Sequence, residues 1–446
     1  MTQLFEGNPA QPLADNENDL VIRSAAADDC DALMAFNSRI HFFVPEHETT
    51  IATMTRDLMS GRLPGFQPGN FKLILEKSTG KIVSAMALIF QTWSYGGIPI
   101  KMGRPELVGT DPTCRGRGLI REQFRIFHAL CRERGCLAQA ITGIPFFYRQ
   151  FGYELGLASE GGIAGALPLP AFAADADRFR IAPARAEDLV WIEELYQRGS
   201  ERYLLTCPRD AQLWDYEMAR KSPTNIHKVE VNAITTPGGG PVGFFMSHKG
   251  FGPVSEKAAF WYELLPGFEW QSVTPAILLY LATQGQDRAM QQGGQCVQVA
   301  LRLGGLHPSY AIAQQWLPKR IDPGVWYVRV PDLPAFLRKV EPVLNKRLAA
   351  SGWSGFSGNL KISFYKEGIN LAIRDGIIDQ VNPYTLETWE DADTAFPYLS
   401  FLQLLFGYRN LGELQYAYAD CWCDAKIKGL METLFPKMPS AIWGIA

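Results

Sequence analysis

An internal duplication most limits how this chain of 446 residues can fold. Residues 20–37, LVIRSAAADDCDALMAFN, read as a strand and then a helix with acidic residues in its first turn. Residues 179–197 align with them, so that Ile181 and Asp188 correspond to Ile22 and Asp29. Each copy continues with a hairpin, a strand, a helix and a strand. This order predicts two successive domains, each with a mixed sheet flanked by helices.

Two linker-like stretches divide the chain into three domains. The linker GALPLPAFAADAD separates the two copies, and LPKRIDPG ends the second one. We predict a disordered segment at 1–19, an α/β domain at 20–165, its second copy at 175–318, and an α+β domain at 323–446. A chain of this length is expected to hold two to four domains.

Composition and charge exclude several classes of protein. The net charge is −3 and the pI is 6.1, without long basic runs, so we expect no nucleic-acid partner. The N-terminus does not resemble a secretory signal, and the longest apolar runs fall short of the roughly 20 residues that span a bilayer. Eight cysteines are too sparse for a disulfide scaffold, and Cys421 and Cys423 lack a second pair at zinc spacing. The chain is therefore expected to be cytoplasmic, metal-free and without a membrane partner.

A turn at residues 111–124, DPTCRGRGLIREQF, joins a predicted strand to a predicted helix. The amides at a helix N-terminus bind phosphate, glycines allow close approach, and arginines add cationic donors. The Walker and dinucleotide-binding patterns are both absent. On these residues alone, a phosphate-binding turn and an ordinary glycine turn with solvated arginines remain alternatives.

Two motifs carry a resemblance to a known superfamily. The runs VGTDPTCRGRGL and FFYRQFGYE, in strand–helix–strand order, resemble the acyl-CoA-binding core of the GNAT N-acetyltransferases over residues 20–154. Ile120 stands where the usual pattern has Gly or Ala. This departure resembles the enhanced intracellular survival (Eis) family of multi-acetylating aminoglycoside acetyltransferases. That family implies a catalytic GNAT domain, a degenerate second copy, and a C-terminal domain like sterol carrier protein 2.

The resemblance implies an acyl-CoA site on the first copy alone, because LLPGFEWQSVTPAI in the second copy has no arginine. The backbone of the strand would bind the pantetheine arm, the turn would bind the pyrophosphate, and Arg115 would supply a charged contact. The implied cofactor-binding residues are Val108, Gly109, Thr110, Arg115, Gly116, Arg117, Gly118, Leu119, Ile120 and Arg121.

Candidate catalytic residues follow from the same resemblance. Tyr148 aligns with the family's general acid, although it could instead pack in the core like its phenylalanine neighbours. Two carboxylates compete for the role of base: Glu106, before the turn, and the terminal carboxylate of Ala446, carried by an apolar tail. Phe42, Phe43 and Glu46 are candidate acceptor contacts, with core packing and solvation as the alternatives.

These residues together predict an acetyl-CoA-dependent N-acetyltransferase that acts by direct attack in a ternary complex. The expected acceptor is a primary amine of a small polyamine, an aminoglycoside-like compound or a lysine-containing molecule. The alternative is a non-catalytic protein that binds acyl-CoA or lipid through its sterol-carrier-like domain. The family likeness further implies a homo-oligomer, with a hexamer as one possibility, and no metal.

Overall fold

The computed structural model describes residues 19–41, 45–170, 178–248, 256–291, 293–385, 388, 391–397 and 399–444, without the side chains of residues 45–47. Apart from Asp19, the segment predicted to be disordered lies outside these residues. Three mixed sheets with flanking helices are present in the described part of the chain. The α/β class predicted from the sequence is therefore confirmed.

The elements are numbered in chain order. The strands are β1 (Leu20–Ser24), β2 (Phe71–Glu76), β3 (Ile82–Tyr95), β4 (Ile98–Thr110), β5 (Ala138–Ile141), β6 (Glu154–Ser159), β7 (Gly162–Ala166), β8 (Arg180–Pro183), β9 (Leu205–Thr206), β10 (Val229–Thr235), β11 (Pro241–His248), β12 (Glu256–Leu264), β13 (Gln298–Leu301), β14 (Lys319–Ile321), β15 (Gly324–Arg329), β16 (Gly358–Ser363), β17 (Gly368–Arg374), β18 (Ile377–Tyr384), β19 (Thr394–Ala395) and β20 (Trp422–Cys423). The helices are α1 (Cys30–Ile40), α2 (Pro45–Met59), α3 (Leu119–Glu133), α4 (Leu189–Ser200), α5 (Ala211–Asp215), α6 (Trp270–Gln291), α7 (Tyr310–Ala313), α8 (Leu333–Ala349), α9 (Phe401–Leu405), α10 (Leu411–Ala417) and α11 (Lys428–Leu434).

The first sheet has the order β1-β2-β3-β4-β5-β15-β6, and β9 pairs with β3 outside this path. Alternate residues of β3 point to opposite faces, as the pleat of a strand requires. Ala85, Ala87 and Ile89 pack with α1 and α2 on one face. Met86 and Leu88 pack with α3 on the other face. Both faces of this sheet are therefore buried under helices.

The second sheet has the order β14-β7-β13-β12-β11-β10-β8 and repeats the plan of the first. The turns that lead into α1 and α4 are closed in the same way. A carboxylate oxygen of Asp29 accepts the amide of Ala26 at 2.7 Å, and a carboxylate oxygen of Asp188 accepts the amide of Arg185 at 2.8 Å. These equal contacts confirm the alignment of Asp188 with Asp29 that the sequence predicted.

Two strands lie in a sheet other than the one that their place in the chain suggests. The strand β7, at the end of the predicted segment 20–165, pairs with β13 and β14 in the second sheet. The strand β15, near the start of the predicted segment 323–446, lies between β5 and β6 in the first sheet. Hydrogen bonds within a sheet can join segments far apart in sequence. The sheets consequently run across the predicted domain limits.

The third sheet has the order β18-β17-β16-β19-β20 and packs against α8. One continuous apolar cluster runs from Trp93 and Tyr95 of β3, through Phe336 of α8, to Leu360 and Leu371 in the third sheet. The last third of the chain thus shares a core with the first sheet. Its likeness to a sterol carrier remains a prediction. Across the described residues, no helix combines the length and apolar character that a membrane crossing requires.

A buried aspartate holds the end of β4. Asp111 accepts the amide and the hydroxyl of Thr113 at 3.1 and 2.7 Å, and it contacts Arg39 at 3.1 Å and Lys81 at 3.2 Å. Thr113 first, and then the two cations, hold the pKa of the Asp111 carboxyl well below its usual range, despite an opposing effect of burial. This carboxylate fixes where the turn begins.

We predict that Asp111→Asn lowers the free energy of unfolding by about 1–3 kcal/mol at pH 7, because hydrogen bonds to a charged group are lost. The folded-state pKa is depressed, so this difference is fully present above the ordinary aspartate pKa of ~3.9 and shrinks as the pH falls below it. Urea unfolding at pH 7 and pH 3 measures both effects. Asp322→Asn, at a side chain 88% exposed, is the control, and an equal loss in both variants would contradict the prediction.

Candidate active site

The first sheet opens between two neighbouring parallel strands. The strands β4 and β5 pair at only two positions, Met102 with Ala138 and Gly103 with Gln139. Beyond Gly103, β4 continues to Thr110 while paired with β3 alone among the described strands. The backbone of β4 is consequently available along one edge, and this edge carries Val108, Gly109 and Thr110.

A bulge in β4 redirects its side chains at this opening. The register passes from Ala85 opposite Gly109 to Ala87 opposite Glu106, so β4 has one more residue than β3 here. Leu107 takes a φ of 49°, in the left-handed region that a branched side chain rarely adopts. Bulges of this kind re-aim side chains and often lie beside active sites.

The turn after β4 leaves room for a large anion. Gly116 and Gly118 have φ values of 80° and 77°, and a Cβ at either position would meet no heavy atom within 4 Å. The helix α3 begins at Leu119, and its first backbone hydrogen bond runs from Glu122 to Gly118. The amides of Leu119, Ile120 and Arg121 therefore have no partner within the helix. These features fit the pyrophosphate of an acyl-CoA.

The side chains of the turn differ in whether they are free to contact a ligand. Arg115 and Arg121 are exposed, whereas Arg117 forms an ion pair with Asp19 at 3.0 Å. Leu119 is buried, so it can offer only its amide. Arg115 is thus the freer of the first two arginines to meet a ligand.

Tyr148 lies in the 3-10 helix Phe147–Phe151 and is 6% exposed. Its ring packs edge-on against Phe124 at 5.9 Å and lies 5.5 Å from the ring of Tyr327. Gly143 lets the ring approach, since a Cβ there would overlap it. Burial, and then the charge of Glu106, raises the pKa of Tyr148. The phenol is therefore protonated at neutral pH, and it combines core packing with the chemistry of a proton donor.

Glu106 forms a polar row with Arg104 and Gln91, two residues that sequence reasoning missed. Nη2 of Arg104 donates to Oε2 of Glu106 at 2.9 Å, and Nη1 donates to Gln91 on β3 at 3.4 Å. Arg104 is only 3% exposed, and its guanidinium lies over the ring of Trp326, 5.2 Å from the centroid. Strand alternation was the available signal, because residues 104 and 106 share a face unless a bulge separates them.

The C-terminal tail runs alongside this row. The amide of Ala441 donates to Leu205 at 2.9 Å, and the ring of Trp443 lies 3.7 Å from that of Phe260. Gly444 touches Arg104 so closely that a Cβ there would overlap the guanidinium. The burial expected for the apolar tail is observed at Ile442. Ala446 itself lies outside the described residues, as do Phe42, Phe43 and the side chain of Glu46.

A cavity of about 370 Å³ adjoins the row at Gln91. Its other walls come from the loop at residues 63–66, from the end of β3, and from residues 207–213 of the second copy. Arg209 is the cation among these residues. No signal in the sequence placed it here, because it lies about a hundred positions away from β4.

His41 is a further residue that the sequence did not single out. It follows α1, and its ring faces the carbonyl of Leu107 and the backbone of Gly109. Burial lowers the pKa of His41. The imidazole is therefore neutral at pH 7 beside the opening in the sheet.

The second copy has a similar strand opening, since β12 pairs with β13 only over Glu256–Ala259, but this opening is occupied differently. The turn after β12 has no arginine, and one carbonyl of β12 beyond this pairing is bound by a side chain of the protein. Nε2 of His307 donates to the carbonyl of Tyr262 at 2.9 Å. Burial lowers the pKa of His307 to about 3, so this imidazole is neutral. These contacts favour a scaffolding role for the second copy.

The strand opening, the glycine turn and the buried phenol all lie within one segment of the chain that matches a known family. Residues 22–156 match the family described as "Acetyltransferase (GNAT) domain". This match confirms, for this segment, the GNAT resemblance that the two motifs predicted. No curated protein matches the chain.

Three solved structures share the fold over nearly the whole chain. A probable N-acyltransferase from Enterococcus faecalis is 13% identical with a TM-score of 0.63, covering 96% of this chain and 100% of that one. A GCN5-related N-acetyltransferase from Kribbella flavida is 16% identical with a TM-score of 0.60, covering 96% and 100%. Eis1 from Mycobacterium abscessus is 15% identical with a TM-score of 0.55, covering 95% and 99%. At these identities, the likeness establishes the fold alone.

In the described ranges, no group of three or more His, Cys, Asp or Glu side chains could hold an ion.

We predict that Gly143→Ala lowers kcat by about tenfold to a hundredfold, because the added methyl displaces the Tyr148 ring and small misplacements of a catalytic group are costly. Thiol release from an acyl-CoA measures this change. Gly352→Ala is the matched control, since a Cβ there meets nothing within 4 Å. An active Gly143→Ala enzyme with a normal kcat would show that the position of Tyr148 does not matter.

Proposed function

We propose that this protein is an acetyl-CoA-dependent N-acetyltransferase, which moves an acetyl group to a primary amine by direct attack in a ternary complex. The observation that carries the proposal is the uncovered edge of β4, which runs from the Glu106 carboxylate to the open glycine turn. The proposed acceptors are small polyamines, aminoglycoside-like compounds and lysine-containing molecules.

The donor would lie along this edge. The backbone of Val108, Gly109 and Thr110 can bond the amides of the pantetheine arm, as a neighbouring strand would. The amides from Gly116 to Arg121 and the side chain of Arg115 can hold the pyrophosphate. Bound in this way, the acyl-CoA supplies an activated thioester. A backbone N–H near Val108 would stabilise the oxyanion that develops when an amine attacks.

Tyr148 is the proposed general acid. The departing thiolate needs a proton, and a phenol whose pKa is raised by burial keeps its proton through the neutral and mildly alkaline range. Its hydrogen-bond donor is held by the ring contacts with Phe124 and Tyr327. The core packing of the Tyr148 ring therefore also orients this residue.

The amine must lose a proton before or during attack. An amine with a pKa of ~10.4 is neutral in about one molecule in 2,500 at pH 7, which corresponds to roughly 4.6 kcal/mol. We propose the terminal carboxylate of Ala446 as the base, with Glu106 as the competing candidate. The contact of Gly444 with Arg104, which also binds Glu106, supports a shared location for the two carboxylates.

The other expectations stay proposals. Phe42, Phe43 and Glu46 as acceptor contacts and the homo-oligomer, with a hexamer as one possibility, rest on the family likeness. The cytoplasmic location rests on the composition of the sequence. The position of α2, which carries Glu46, supports the acceptor assignment because this helix covers the same face of the sheet as Glu106.

We predict that Tyr148→Phe lowers kcat by about 100-fold or more while acetyl-CoA binding is retained, because general-acid catalysis contributes that much. Thiol release with aminoglycosides, polyamines and lysine peptides, beside calorimetric binding of acetyl-CoA, measures both quantities. Tyr416→Phe is the control, at a side chain 96% exposed. Binding of acetyl-CoA without amine-dependent release by the wild type would contradict the proposal and favour the lipid-binding or acyl-CoA-binding alternative.

The two candidate bases are separated by a second pair of variants. We expect a chain lacking residues 444–446 to lose about 100-fold in kcat with little change in acetyl-CoA binding, and Glu106→Gln to lose less. Glu187→Gln, at an exposed carboxylate, controls for the change of charge. Unchanged turnover in the shortened chain would remove the tail from the mechanism and assign the base to Glu106.

A further inference from the structure

Arg209 is a half-buried cation on the wall of the cavity next to Gln91. It donates to the hydroxyl of Tyr196, to the carbonyl of Cys207 at 3.1 Å and to the carbonyl of Trp443 at 3.4 Å. The rings of Tyr196 and Trp214 lie 5.2 and 5.7 Å from its guanidinium carbon. Every one of these partners is neutral.

No carboxylate of the described residues forms an ion pair with Arg209, and its Nε is buried without a hydrogen-bond partner. The carboxylate of Glu217, whose charge raises the pKa of Arg209, is already paired with Lys221 at 2.9 Å, and both of these side chains are buried. Withdrawing a charge from water is costly unless the charge is paired. The positive charge of Arg209 is therefore available to a ligand that enters the cavity.

Asp210 is the other charged residue on the cavity wall, and its role is local. Its Oδ1 accepts the amide of Leu213 at 2.9 Å and so caps the start of α5. Asp210 is exposed, whereas Arg209 is half-buried. The cavity wall thus carries one cation and one carboxylate, and the carboxylate already caps a helix.

The cavity leads to the proposed chemistry along one face of the first sheet. Gln91 lines the cavity and accepts from Arg104, which donates to Glu106. Ile89 lies opposite Arg104 and Ala87 lies opposite Glu106, so these side chains share the face covered by α1 and α2. An acceptor in the cavity can therefore place one end near Arg209 and the other toward Glu106.

We propose that Arg209 binds a carboxylate of the acceptor, so that the preferred acceptor carries both an amine and a carboxylate, as an amino acid or a short lysine-containing peptide does. A guanidinium matches a carboxylate in geometry as well as in charge. A polycationic amine would instead meet Arg209 with a like charge. The inference rests on the proposed N-acetyltransferase function and selects among its acceptor classes.

The test compares ω-amino acids of increasing length with their carboxamides, which differ only in the charge of the far end. In the wild type, kcat/KM from thiol release is expected to favour the acid about tenfold or more, the size of one charged hydrogen-bonded contact. Arg209→Gln is expected to abolish this preference, and Arg209→Lys to keep part of it. Arg320→Gln, at a side chain 84% exposed, is the control and should leave the preference unchanged.

A binding measurement separates this inference from the proposed function. The same acids and amides are titrated into protein saturated with CoA, where no turnover occurs. Equal turnover of acid and amide overturns the inference and leaves the function standing. Arg209-dependent binding of the acid without any turnover supports the inference and overturns the function. A preference that appears only after residues 444–446 are removed also overturns the inference, because the chain's own tail then fills the site.

Discussion

The divergence of β4 from β5 beyond Gly103 is the constraint on which the rest of the site depends. At Gly103, the last paired position, a Cβ would overlap Cys131 and press on Phe127, so α3 packs directly on the backbone of β4. The glycine allows the helix to come this close. Beyond it the two strands diverge, and the bulge at Leu107 turns the next residues toward the gap. Strand geometry, rather than any one side chain, makes room for a thioester.

The site of the first unit is completed by residues from the rest of the chain. The strand β15 brings Trp326 over Arg104 and Tyr327 beside Tyr148. The hydroxyl of Tyr327 accepts the amide of Phe146 at 2.6 Å, which holds a residue whose φ is 69°. The second copy supplies Arg209 and one wall of the cavity. The exchange of β7 and β15 between sheets is therefore part of how the site is built.

Local patterns in the sequence predicted the features that are local in space. The Arg115–Gly118 turn, the strand before it and the aspartates that close the turns before α1 and α4 each depend on a few consecutive residues, and all were found. Tyr148 was singled out through a motif of similar length, and its role as the acid stays a prediction. Arg209 and the position of β15 in the first sheet were missed because long-range pairing placed them, and no short pattern encodes such pairing. Arg104 was an avoidable omission, since strand alternation already put it beside Glu106.

The faces of the first sheet separate Tyr148, the proposed acid, from Glu106, the competing candidate for the base. Tyr148 belongs to the cluster under α3, whereas Glu106 lies opposite Ala87, which packs with α1 and α2. The edge of β4 lies between them. A thioester held on that edge would face a proton donor on one side and a carboxylate on the other. Proton removal from the amine and proton delivery to the sulfur would then occur at separate places, as direct transfer in a ternary complex requires. The negative charge of Glu106 also helps to keep Tyr148 protonated across the strand.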